Sequence, residues 1–207
     1  MRRLLLLTAA LMLAVVLCSP VLADDVLPPG FRGDPLTCLF VWEFTSPPIS
    51  LYDIDPDTVL YVGDQFHELY NYYVHINYLH ESLFWDPLGF IYTTDQPTQF
   101  TIELNNWIDE YPYKHLWIQV TYGGQGIPTI AGVVSGATID EPMGRTDLDA
   151  NHFVEYWRLQ PNPTWERVIV DMPPYTTIDE IVIDTWSTDS PVRAEQRSWG
   201  EVKSLYR

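Results

Sequence analysis

The chain has 207 residues, with 28 Asp plus Glu against 11 Lys plus Arg and a formal net charge of −17. Its 8 Trp, 13 Tyr and 8 Phe exclude a disordered acidic tail, because they supply more buriable surface than a chain unable to offset its folding entropy carries. The charge argues against nucleic acid as a partner, since such a surface repels phosphate and no basic patch opposes that repulsion.

At the start of the chain, Arg2-Arg3 precede an almost wholly apolar stretch from Leu4 to Leu17, and Val21 and Ala23 occupy the −3 and −1 positions of a cleavage site. These features predict a signal peptide over 1–23, too short in its apolar part for a membrane span. The expected product is secreted, periplasmic or extracellular, with no membrane attachment after cleavage. Its mature form is more acidic still, by the two charges of Arg2 and Arg3. Residues 24–35, with Pro28-Pro29-Gly30, read as an extended N-terminal arm ahead of one domain over 36–207. Cys38 is then the single remaining cysteine. It cannot form an internal disulfide, and it reads as a buried strand thiol because no His-containing motif accompanies it.

Pro and Gly punctuate the domain at short intervals, and no long helical periodicity appears. Strands are expected over 36–45, 58–62, 70–79, 99–107, 115–122, 127–134, 152–159, 165–171, 178–186 and 198–206. That pattern predicts an all-β fold, a single-domain antiparallel β-sandwich of jelly-roll or Greek-key type.

Alternation within three strands divides their faces. Phe100, Ile102 and Leu104 oppose Thr101, Glu103, Asn105 and Trp107. Likewise Leu116, Ile118, Val120 and Tyr122 oppose Trp117, Gln119 and Thr121, and Tyr72, Val74, Ile76 and Tyr78 oppose Asn71, Tyr73, His75 and Asn77. Each strand thus has an apolar inner face and an outer face mixing aromatics with amides, hydroxyls and a carboxylate.

The segments Phe31-Arg-Gly-Asp-Pro35, Lys114-His-Leu-Trp-Ile-Gln-Val-Thr-Tyr122, Pro161-Asn-Pro-Thr-Trp-Glu166 and Ile178-Asp-Glu-Ile-Val-Ile-Asp-Thr185 resemble those of exported β-sandwich proteins of planctomycete-like environmental bacteria. Many members of that group carry a C-terminal Pro-Glu-Pro sorting signal. Here the sequence reads Lys203-Ser-Leu-Tyr-Arg207 without one, so surface anchoring is not expected. The group has no established activity, and the resemblance therefore implies export and fold and no chemistry.

Sugars are recognised by rings that stack on pyranose C–H faces, flanked by amides and carboxylates that bond hydroxyls. Tyr73, His75, Asn77, Glu103, Asn105, Trp107, Trp117 and Gln119 are the candidate ligand-binding residues, and a glycan is the expected partner. The competing reading makes these aromatics packing residues and the protein a structural or matrix component that binds other extracellular proteins. Asp53, Asp55 and Asp57 at alternate positions, with Asp64 at the twelfth position of that register, could hold a structural Ca²⁺. Against this, Thr58 stands where a calcium loop has its turn glycine, and Asp147-Leu-Asp149-Ala-Asn151 is a weaker match. His67, His75 and His80 lack metal-ligand spacing. Glu103 and His75 could form an acid/base pair in a polysaccharide-degrading enzyme. No nucleophile elbow, phosphate loop or dinucleotide fingerprint is present, so a non-catalytic domain is expected, with no cofactor besides that Ca²⁺.

Overall fold

Alternating burial is the local cause of the architecture. Along Glu166–Met172, every second residue is buried, because successive side chains of a strand point to opposite faces. The computed structural model describes residues 26–46, 53–63, 69–70, 74–77, 82–107 and 109–189. The expected signal peptide, the strand over 198–206, and Asp64, His67, Tyr73 and His80 lie outside the described residues. None of the described residues is helical.

The strands, in chain order, are β1 (Thr37–Trp42), β2 (Asp53–Ile54), β3 (Thr58–Val62), β4 (Leu69–Tyr70), β5 (His75–Asn77), β6 (Leu83–Asp86), β7 (Phe90–Thr93) and β8 (Thr98–Leu104). They continue with β9 (Asn106–Trp107), β10 (Tyr113–Gly124), β11 (Thr129–Ser135), β12 (Ile139–Asp147), β13 (His152–Gln160), β14 (Glu166–Met172) and β15 (Thr176–Thr188). The larger sheet runs β12-β13-β10-β15-β1-β3, with the β6–β7 hairpin joined to β15. The second sheet runs β11-β14-β8-β5-β2, and β4 and β9 form a short separate ladder. Every pairing is antiparallel.

The two sheets make an all-β sandwich around one core. From the larger sheet come Phe40, Trp42, Leu116, Ile118, Ile181 and Ile183, and from the second come Ile76, Phe100, Ile102, Val168 and Val170. All of these are closed to solvent, and each such aliphatic or aromatic side chain contributes about 1.5–3 kcal/mol relative to exposure. Cys38 lies in this core, and burial pushes its thiol up to about 11, which keeps it protonated and unreactive at neutral pH.

Three departures from the expected strands have physical causes. The alternation expected through 99–107 stops at Leu104, since Asn105 leaves the strand and donates from Nδ2 to the Tyr61 hydroxyl at 2.9 Å. Trp107 therefore turns into the core instead of joining Glu103 on the outer face. Its ring meets Tyr61 edge-on and covers Gly63 so closely that a Cβ there would stand 2.2 Å from Trp107 Cη2. Strand β12 carries Asp140, Glu141, Pro142, Gly144, Arg145 and Asp147, with a register shift between Pro142 and Gly144. It is an edge strand held by backbone bonds to β13, so it needs no apolar alternation and shows none. The β6–β7 hairpin turns through Pro87-Leu88-Gly89, where Gly89 has φ 92°.

Candidate functional site

The expected ligand-binding residues divide among three places. On the outer face of the larger sheet, β10 projects His115, Trp117 and Gln119. Register sets Trp117 between Tyr156 and Asp184, and His115 beside Trp186. His115 stacks on Tyr156 with centroids 5.6 Å apart and lies 5.7 Å from the Trp186 ring, while Trp117 is 6.1 Å from Tyr156. The Tyr156 hydroxyl and His115 Nδ1 are hydrogen-bonded. An aromatic and amide surface of the expected kind is thus present here, with Tyr156, Trp186 and Asp184 added to it.

The chain's own N-terminal arm occupies that surface. Trp117 Nε1 donates to the Leu27 carbonyl at 2.9 Å, and the Leu27 N–H donates to Gln119 Oε1 at 2.9 Å. Phe31 stacks on Trp186 at 5.3 Å with the planes 18° apart. Arg32 forms a two-pronged contact with Asp184, Nε to Oδ1 at 2.6 Å and Nη2 to Oδ2 at 2.5 Å. Asp184 is 1% exposed, and burial raises its carboxyl above the ordinary range despite the opposing pull of Arg32. A ring face, an indole N–H and a glutamine amide, the groups a sugar would meet, are here met by residues 27, 31 and 32.

On the outer face of the second sheet, β5 and β8 bring His75 opposite Glu103 and Asn77 opposite Thr101. Glu103 is ion-paired with Arg167, whose guanidinium carbon is 6.0 Å from the Trp165 ring. Trp165 is 39% exposed, and Gln99 donates to Asp171 at 2.8 Å on the same face. His75, Asn77 and Glu103 are therefore neighbours, while Asn105 and Trp107 are in the interior and Trp117 and Gln119 are on the other sheet.

The acidic loop is divided as well. Asp53 Oδ1 is 3.4 Å from His75 Nε2. Asp57 accepts from the backbone N–H groups of Glu43 at 2.7 Å and Phe44 at 2.9 Å through Oδ2, and from the Thr45 hydroxyl at 2.8 Å through Oδ1. Asp55 is exposed. Among the described residues no three His, Cys, Asp or Glu are grouped to hold a metal ion. In the second acidic loop, Asp149 Oδ1 accepts from Asn151 N at 2.8 Å and contacts His152 Nδ1 at 2.7 Å. The Asn151 backbone bond, then His152, hold its carboxyl below the usual range.

A further cluster lies between the sheets, and the expected site set did not contain it. Lys114 and Asn106 are both 0% exposed and Glu166 is 1% exposed. Lys114 Nζ donates to Asn106 Oδ1 and lies 3.3 Å from Glu166 Oε1. Burial pushes the Glu166 carboxyl up to about 7, with Lys114 pulling the other way. The signal for it was available in strand parity. Lys114 shares the inward parity of Leu116, Ile118 and Val120, and Glu166 that of Val168, Val170 and Met172.

Compared with family models, with curated proteins and with solved structures, the chain matches none.

Proposed function

We propose that the protein is an exported, non-catalytic structural domain that associates edge to edge with a second copy of itself through β3. The observation carrying this reading is the chemistry of that edge. Strand β3 reads Thr58-Val-Leu-Tyr-Val62, carries no charge, and among the described residues pairs only with β1. Val59 is 39% and Leu60 48% exposed, so the strand is open on alternate sides. An unpaired apolar strand edge is a template for another strand. Among the other edges, β12 is blunted by charges and a bulge, β11 by a register shift before Gly132 and β2 by its two-residue length. Strand β6, which among the described residues pairs only with β7, offers a shorter edge of four residues that ends in Asp86. Antiparallel pairing of β3 with its own copy is self-complementary and closes as a two-fold dimer.

Association of two acidic copies in this way strengthens with salt, because repulsion between like charges is screened while apolar contact is not. Sedimentation of the domain over a concentration series, at low and high ionic strength, tests this. Leu60→Lys should abolish the dimer without changing the fold. A dimer indifferent to that change, or a monomer at every concentration and salt level, contradicts the proposal.

A second reading, glycan binding, is favoured by Trp165. Its exposed ring stands beside Arg167, which is ion-paired with Glu103 on the second sheet, a stacking surface next to groups that bond hydroxyls. Retention on polysaccharide gels that Trp165→Ala removes and Trp117→Ala leaves intact is the expected result. Equal retention in both variants contradicts it.

A further inference from the structure

We propose that Lys114 and Asn106 are joined by an intramolecular isopeptide bond that the folded chain makes itself, with Glu166 as the catalytic acid and base. This stands independently of the association at β3.

The three groups sit together where solvent does not reach. A charged amine at such a position carries a large desolvation cost, which a neutral amine avoids, and a neutral amine is the nucleophile. Glu166 can take the amine's proton. Neither of its carboxyl oxygens has a hydrogen-bond partner among the described residues, and its contact with Lys114 Nζ at 3.3 Å lacks hydrogen-bond geometry. A buried carboxyl left so incompletely satisfied calls for an explanation, and proton transfer supplies one. Its raised affinity for a proton matches that task.

The Asn106 amide is oriented for attack. Its Oδ1 accepts from the Lys114 amine, from the Trp107 backbone N–H at 2.8 Å and from the Ser187 hydroxyl at 3.5 Å. The Trp107 N–H and the Ser187 hydroxyl stand where negative charge would develop as the carbonyl carbon becomes tetrahedral, while the Lys114 amine is held beside the carbonyl that it attacks. Its Nδ2 donates to Asn162 Oδ1 at 2.7 Å and to the Pro163 carbonyl, which fixes the leaving side of the amide. Holding amine and amide in contact removes the entropic part of the barrier, and excluding water removes the hydrolytic competitor.

The step balances without any co-reactant. Lys114 Nζ, neutral after passing a proton to Glu166, forms a bond to Asn106 Cγ, and the Cγ–Nδ2 bond breaks. Of the two hydrogens on the amine, one remains in the new amide and the other is relayed by Glu166 to Nδ2, which departs as ammonia. Nothing is oxidised or reduced, and Glu166, a carboxylate before it takes the first proton from the ammonium, ends holding that proton.

Intact-mass measurement and peptide mapping of the purified wild-type protein test the proposal. The expected mass is short of the sequence mass by one ammonia. Trypsin should fail to cut after Lys114, because its amine is acylated, and a second protease should release Asn106 and Lys114 as one linked fragment. A folded wild-type protein with the full sequence mass overturns the proposal, and so does ammonia lost from a different asparagine. Lys114→Met, which keeps the stem without the amine, should retain the full mass. Glu166→Gln should retain it as well and restore cleavage after Lys114; efficient linkage in that variant overturns the role of Glu166. The wild-type mass decides the existence of the bond whether or not either variant folds.

Discussion

Replacing Arg32 by Ala removes the cation that faces a nearly closed carboxylate. The Arg32 side chain is 20% exposed and that of Asp184 is 1% exposed, so the pair is screened little. Removing one partner of a buried pair costs about 3–5 kcal/mol, and the part-exposed arginine puts this case near the lower end. A ceiling comes from protonation: Asp184 escapes its isolation by taking up a proton, which at pH 7 costs about 4 kcal/mol for a group with an ordinary value near 3.9. The folded-state affinity of Asp184 for protons is raised already and rises further in the variant. A carboxyl raised on folding favours the native state at low pH and loses that contribution as pH climbs through its folded value. The deficit of Arg32→Ala should therefore be about 3 kcal/mol at pH 7 and shrink toward zero near pH 4. Urea unfolding followed by tryptophan fluorescence reads both the stability and the freeing of Trp117 and Trp186. In an Asp184→Asn background the same Arg32 change should cost little. A deficit below about 0.5 kcal/mol at pH 7, the range of ordinary surface substitutions, refutes the reasoning, as does a deficit equal at both pH values.

Gly63→Ala should lower stability by about 1–3 kcal/mol, because the added methyl collides with the Trp107 ring. Chemical denaturation checks this, and Trp107→Leu should relieve the cost in the double variant. Asp57→Ala should lower stability by about 1–2 kcal/mol through loss of its bonds to the Glu43 and Phe44 N–H groups, equally in calcium and in chelator. A calcium-dependent loss, seen as a melting temperature that chelator lowers only in wild type, would assign Asp57 to a metal instead.

How much the sequence discloses depends on how local the determining contacts are. The sandwich was legible because Phe100, Ile102, Leu116, Ile118, Val168 and Val170 declare inward faces by simple alternation. Strand β12 was not, because an edge strand needs backbone partners and no apolar face. Trp107 misled because one residue out of strand geometry, Asn105, reverses the side on which the next residues fall. Pro28-Pro29-Gly30 suggested an extended arm, whereas residues 30–36 run through turns closed by Arg32 N–H to Pro29 O and Asp34 N–H to Phe31 O, and the arm's resting place was not legible at all. It is fixed by bonds from Leu27 to Gln119 and from Arg32 to Asp184, which join positions 92 and 152 residues apart. Thus Trp117 and Gln119 were correctly placed on an outer face, and the neighbour that covers them was out of reach of any periodicity. Lys114 and Glu166 stood in plain alternation with core aliphatics, and only their polar character hid them from a search for outer-face groups.

The central claim is that the chain meets its partner at the β3 edge and not on the aromatic face that its arm occupies. Hydrogen exchange of the domain at low and high concentration tests this most directly. The account predicts that protection of amides in 58–62 rises with concentration while those in 115–119 stay unchanged. Constant exchange in 58–62 together with concentration-dependent protection in 115–119 would contradict it.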